Sequence, residues 1–419
     1  MIRRIFIFHA LKFFSPIVPF ITPYFIEQKK IPNARFHSEV IPCFFISSFI
    51  ATIIGPFFIE YFGEKPVLIV EAFLEIIFLV CFFFIPTNGI LPLIVITCLH
   101  GANTSLGVLT KRLIFAEGGV KAVVNSTFNM IKRSSSILSG LVGQDLFFSS
   151  GNYVPSLILS ILTSSLAGIV SFFLISPENK KSEHVGTIPL FSNQTIFFSA
   201  IYIVGSTVYI AFSVYSASVF IERRKNGNMS SNMFGRLLYY LLSPLRIFSF
   251  LFLKFLSLFM SADFIPKYDN EKLIFGYIDA IARCMSITSA FFICKNDYTL
   301  VTHSIVLLIM VIPTIFITFF IGRMTSLFST YILFIFGTTC ANSVLILAQN
   351  GLNNVERMSV CIGINLTIAN IIHMTINYYC KYKKYPAYKK MTCYMISTLL
   401  LLVPAVVFWL YIGRFVSEE

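Results

Sequence analysis

The sequence predicts an all-α polytopic membrane protein, built as two six-helix bundles around a central cavity. Three observations carry that prediction. Of 419 residues, 56% are hydrophobic and 12% charged, which leaves too little polar surface to coat a water-soluble globule. Apolar runs long enough to cross a hydrocarbon core of ~30 Å recur with short polar breaks between them. Six of these runs end at Ile175, ahead of the polar stretch Ser-Pro-Glu-Asn-Lys-Lys-Ser-Glu-His-Val-Gly (176–186), and a second set follows.

The runs fall near 4–26, 41–62, 66–86, 90–116, 123–149 and 154–176, then 195–221, 236–260, 273–294, 299–321, 327–349, 358–379 and 391–413. The first resembles a signal peptide in having Arg3 and Arg4 ahead of an apolar stretch. It lacks a small-residue cleavage site and passes through Pro16, Pro19 and Pro23, so it reads as a retained span. A proline-broken helix in lipid leaves carbonyls without partners, which is tolerated against neighbouring helices or a water-filled cavity. Those prolines therefore mark either a pathway wall or a packing kink.

Thirteen runs are one more than twelve, and the second polar break, 222–232, separates the seventh from the eighth. Six plus six around a central polar loop is the layout of a major facilitator transporter. The expected organisation is an N-terminal bundle over 1–176, a loop over 177–194 and a C-terminal bundle over 195–419. No short internal repeat supports or opposes it.

The formal charge of +13 comes from lysines and arginines scattered through short loops, where they meet lipid headgroups and orient the chain. A nucleic-acid surface would need them in one patch, so no nucleic acid is expected. The nine cysteines show no CxxC or metal-like spacing and read as reduced packing residues. No phosphate loop, HExxH pair or nucleophile elbow is present, so neither an enzyme, a metal nor a cofactor is expected.

Ionisable residues inside spans are costly and point to function. Asp279 and Arg283 lie four apart on one helix and can neutralise each other. Glu71 and Glu75 have the same spacing but repel, so at least one needs a partner on another helix or a proton. Lys111-Arg112 and Lys132-Arg133 fit either an electropositive cavity wall or snorkelling to the interface, with the polar loop between them arguing for the interface. Glu60, Gly63 and Lys65 follow the second span in the form of a conformation-locking loop. His373 is a lone intramembrane histidine, a type more often packed than ligand-binding.

Four stretches carry a family resemblance. Ser15-Pro-Ile-Val-Pro-Phe-Ile-Thr-Pro-Tyr-Phe25, Gly55-Pro-Phe-Phe-Ile-Glu-Tyr-Phe-Gly-Glu-Lys-Pro-Val67, Gly276-Tyr-Ile-Asp-Ala-Ile-Ala282 and Asn354-Val-Glu-Arg357 with Gly363-Ile-Asn365 occur in order across both halves. They resemble motifs of the reduced folate carrier and thiamine transporter family, vitamin carriers of the major facilitator type. The resemblance implies a secondary-active carrier of a small vitamin-like solute, folate-type anion first and thiamine next, working by alternating access with a coupling ion or anion in the plasma membrane. It implies substrate contacts from Val18, Phe44, Gly107, Lys111, Arg112, Asp279, Asn365 and His373, and gating by Glu60, Gly63, Lys65, Glu356 and Arg357.

The chain departs from the family at the ligand-reading positions. Thiamine-type members carry acids where Val18 and Gly107 stand, and folate-type members carry a cation at Gly107. Lys111 lies on nearly the same helix face as Gly107 and Arg112 about 140° away, which makes Lys111 the better substitute. The losses favour a second class of function, a non-transporting receptor or scaffold descended from such carriers. Alignment with the family also makes 223–271 an insertion, with 236–260, carrying Arg236, Arg246 and Lys254, an amphipathic element outside the twelve-helix core.

Overall fold

The computed structural model describes residues 2–87, 89–109, 121–174, 189–190, 192–226, 246–257, 274–295, 309, 311–317, 319–320, 326–352, 355 and 358–416. No strand occurs among them. Helix α1 spans Ile2–Phe13, α2 Ile41–Phe62, α3 Glu64–Phe84, α4 Ile90–Leu109, α5 Lys121–Ser150 and α6 Val154–Phe172. After the central polar stretch come α7 Asn193–Asn226, the short α8 Arg246–Ser257, α9 Phe275–Lys295, α10 Leu327–Leu352, α11 Met358–Tyr382 and α12 Ala387–Val416. Eight helical stretches among the described residues are long and apolar enough to cross a membrane. The chain is an all-helical, multi-pass integral membrane protein.

The three prolines do break the first span. Helix α1 stops at Phe13, and the path continues through a 3₁₀ turn at Val18–Phe20, one α turn at Ile21–Pro23 and a π turn at Tyr24–Gln28. Each proline lacks an N–H and cannot extend the preceding ladder. The freed groups find partners on α6. The Ile17 N–H donates to Ser160 Oγ at 3.0 Å, and Thr163 Oγ1 donates to the Phe14 carbonyl at 2.7 Å. On the other side Gly143 of α5 packs against the Pro16 carbonyl, where a Cβ would not fit. Of the two readings of these prolines, this part of the break is a packing kink.

In the first half α1 lies on α5 and α6, α3 on α4 and α6, and α2 on α4; in the second half α7 contacts α10, α11 and α12, and α9 contacts α10. The halves meet along α5 with α9 and α2 with α11. Glycine permits the α5–α9 approach, since a Cβ on Gly140 would sit 2.7 Å from the Gly276 carbonyl oxygen. Gln144 and Asp145 of α5 hold the same crossing, accepting from the Gly276 N–H at 2.8 Å and the Tyr277 hydroxyl at 2.6 Å. Phe20, packed against Phe147, Tyr153 and Phe275, seats the broken first span in that seam.

Toward the Gln28 end the seam is tied by polar groups. Arg224 pairs with Glu27 at 3.1 Å, Ser218 donates to Asn33 at 3.1 Å and bonds His37, and at mid-depth Asn370 donates to Ser48 at 3.0 Å and Thr52 meets Thr367 at 3.0 Å. Toward the opposite end the described contacts are apolar, with Ile59 and Val67 in one buried cluster with Val355, Cys361 and Ile362.

The described part of the run at 236–260 is α8, 12 residues or about 18 Å long. Leu253 joins Val142, Leu146 and Leu159 in a small cluster on the flank of α5 and α6, while Leu251 and Phe255 are exposed. Helix α7 runs through Asn226, a little past the expected boundary at 223. The eight cysteines whose side chains are described are all free.

Candidate functional site

The candidate site is a charged cluster at the seam, between α5, α7 and α9. Asp279 and Arg283 stand one helical turn apart, and the Arg283 Nε donates to Asp279 Oδ2 at 2.6 Å, the pair their spacing requires. Arg133 reaches the same place from α5 and is 8% exposed. The Tyr209 hydroxyl of α7 lies near both guanidinium groups, and Arg133 also feels the charges of Asp279 and Arg283. The four residues carry two positive charges and one negative. Arg133 Nε is buried with no hydrogen-bond partner. An under-neutralised pair of guanidinium groups, one buried and one partly buried, at the crossing of two helical halves is suited to a carboxylate or phosphate, which accepts the fork of donors it presents.

Of the two readings of Lys132-Arg133, cavity wall or snorkelling to the interface, the burial of Arg133 beside α7 and α9 fits the first. Arg133 lies about 18 Å along the 30-residue helix α5 from Lys121. Its neighbour stays with the first half, the Lys132 ammonium sitting 4.4 Å over the Phe13 ring. Tyr209 was not anticipated. Its signal was a polar tip in an otherwise apolar helix, a weak cue in a chain with 19 tyrosines.

The other expected substrate residues are dispersed. Gly107 on α4 adjoins a second polar cluster, because a Cβ there would overlap Glu71 Oε1 and lie 3.3 Å from Lys12 Nζ. The space a family cation or acid would fill is taken by the Lys12–Glu71 ion pair. That pair, with Glu75 bonded to Asn103, meets the requirement that the two glutamates not face each other unpaired. Val18 is 40% exposed at the break. Phe44 packs on the His100 ring at 5.6 Å. Asn365 is buried and donates to Ser199 at 3.0 Å within the second half. His373 is fully buried, stacked on Phe45 at 4.5 Å and hydrogen-bonded to Tyr394 at 2.9 Å, as a packed histidine would be. Lys111 and Arg112 lie outside the described residues.

Among the gating candidates, Gly63 ends α2 with φ of 80°, a conformation that favours glycine, and its N–H bonds the Ile59 carbonyl at 3.0 Å. Glu60 is exposed, and among the described residues neither it nor Lys65 makes a hydrogen bond or ion pair. Glu356 and Arg357 lie outside the described residues. No group of metal-ligating side chains is found among the described residues.

No protein-family model matches the chain, and no curated protein matches it in sequence. Among solved structures it is similar to a mutant of the nucleoside transporter NupG, with a TM-score of 0.59 over 97% of this chain and 98% of that one, at 10% identity. At that identity the likeness is one of fold. The chain has a major facilitator-type fold, two six-helix bundles with the seam between them.

Proposed function

We propose that the chain is a secondary-active carrier of a small vitamin-like solute, a folate-type anion first and thiamine next, which it moves by rocking the bundle 1–176 against the bundle 195–419. The observation that carries this reading is the excess positive charge of Arg133, Arg283, Tyr209 and Asp279 at the seam. In a low-dielectric setting two guanidinium groups sharing one carboxylate are stabilised by a further anion, and a thiazolium cation would be repelled. The motif resemblance adds the vitamin class, and the fold adds a mechanism in which both bundles contact one solute. On this reading 177–194 is the linker, 223–271 an insertion, and the plasma membrane the site of action.

A non-transporting receptor or scaffold is the second reading. It is favoured by one observation, that Gly107 and His373, two family ligand-reading positions, face an internal ion pair and a packed core.

Uptake of labelled folate, thiamine and uridine into cells expressing the chain tests the proposal, with uridine included because the structural neighbour is a nucleoside transporter. Folate uptake should exceed the others. Arg133→Ala should reduce it by about 10- to 100-fold, the worth of a hydrogen bond to a charged group, and Arg133→Lys should restore part of it. Preference for thiamine or uridine, or unchanged folate uptake in Arg133→Ala, overturns it.

A further inference from the structure

The first bundle holds a second charged cluster that the anion reading does not use. Lys12 is in the last turn of α1, Glu71 and Glu75 are one turn apart on α3, and Asn103 and Gly107 are one turn apart on α4. Three of these side chains are buried: Glu71 is 1% exposed, Glu75 7% and Asn103 3%. The Lys12 ammonium is committed to Glu71. Glu75 is left with the Asn103 carboxamide as its direct partner and only a longer-range interaction with Lys12.

The carboxamide supplies the second observation. Asn103 Nδ2 donates to Glu75, while Asn103 Oδ1 is buried and has no donor. An ionised carboxylate is acceptor-only and cannot satisfy that oxygen; a protonated one carries the O–H it lacks. Turned about its Cβ–Cγ bond, the same amide donates to the carboxylate or accepts from the acid. Among the described residues, no other charged group competes for Glu75. On the packed elements, His100 of α4 stacks on Phe78, His9 of α1 packs on Phe128, Lys132 of α5 lies over Phe13, and α6 carries no charged residue.

We propose that Glu75, with Asn103, Glu71 and Lys12 around it, is a proton-binding site, and that the proton it takes is the ion coupled to anion movement. The step is one proton from water adding to the Glu75 carboxylate to give the neutral acid, with Asn103 switching from donor to acceptor. Protonation also removes one of the two negative charges acting on Lys12. Because Lys12 precedes the break at Pro16, and the turn after the break packs on both α5 and α9, its position is linked to the seam that holds the anion site. The coupling half of the proposal rests on the carrier reading; the proton site does not.

Infrared difference spectra of the purified full-length protein in liposomes, between mildly alkaline and mildly acidic buffer, test the site without transport. A carboxylic-acid carbonyl band should appear in the unmodified protein, vanish in Glu75→Gln, return shifted in Glu75→Asp, and persist in Glu39→Gln, whose carboxylate is at the surface with Arg35. Persistence of the band in Glu75→Gln, or its absence from the unmodified protein, overturns the site. In the same liposomes loaded with a pH-sensitive dye, folate uptake should acidify the lumen. Uptake without acidification overturns the coupling alone, and no folate uptake overturns the carrier reading and the coupling with it, while the infrared result stands on its own.

Discussion

At the scale of single residues, the decisive positions are those where charge is buried and its partner comes from elsewhere in the chain. Gly107 is defined by what its missing side chain admits. Gly107→Ala would press a methyl group into Glu71 and Lys12, a strain of about 1–3 kcal/mol, and should lower the melting temperature in detergent relative to Gly101-side neighbours such as Thr104→Ala, whose hydroxyl bonds only its own helix. Asp279 and Arg283 give a double-mutant cycle. Asp279→Ala strands a partly buried guanidinium and should cost about 3 kcal/mol, less the share that solvent screens, whereas Asp279→Ala with Arg283→Ala should recover most of the loss. If the double variant melts lower than either single one, the pair is not acting as a pair. Among these residues the sequence made Asp279 with Arg283 legible, since i, i+4 opposite charges inside an apolar run have one economical arrangement. It also showed that Glu71 and Glu75 needed help, but not that Lys12 gives it, because that contact joins residues 59 positions apart. Arg133 and Lys132 were not separable in sequence, because which of two adjacent cations turns inward depends on the helices that pack against α5.

At the scale of elements, apolar runs bounded by polar residues placed the spans closely. The run at 41–62 coincides with α2, and those at 327–349 and 358–379 fall within α10 and α11. What patterning does not specify is how a broken helix is repaired. The prolines announced the break in the first span, yet the donors and acceptors that complete it are Ser160 and Thr163, residues whose hydroxyls also bond their own helix and so look ordinary in sequence. Ser160→Ala should leave the buried Ile17 N–H unpaired and cost about 1–3 kcal/mol, while Ser165→Ala, whose hydroxyl bonds only the Ile161 carbonyl, should be close to neutral. Equal losses in detergent melting would mean that the break is held by packing and not by these bonds. A second element-level expectation concerns the α5–α9 crossing. Gly276→Val cannot approach the Gly140 carbonyl, so it should hold the seam apart at that end, seen as faster thiol labelling of a cysteine placed at Asn152. Unchanged labelling would show that the crossing does not control access there.

At the scale of the whole molecule, composition and the six-plus-six count made the fold legible, and the likeness over 97% of the chain agrees with it. The substrate was not legible in the same way, because ligand reading depends on which side chains from different helices converge. On the proposed reading the convergence is of Arg133, Tyr209 and Arg283 with Asp279, and of these four the motif alignment picks out Asp279 alone. The architecture carries a mechanical expectation as well. Polar ties join the halves toward the Gln28 end and apolar contacts join them toward the other, so the two ends are built to separate separately. A carrier must open one as it closes the other, whereas a receptor need not. Spin labels at Gly151 with Lys384 report the first end, and labels at Tyr61 with Ile196 the second, each pair bridging the halves at surface-accessible sites. The most direct test is the pair of distance distributions measured by pulsed electron resonance in liposomes with and without folate. Alternating access predicts that one distance lengthens as the other shortens; two distributions that folate leaves unchanged, or that shift in the same direction, would contradict it.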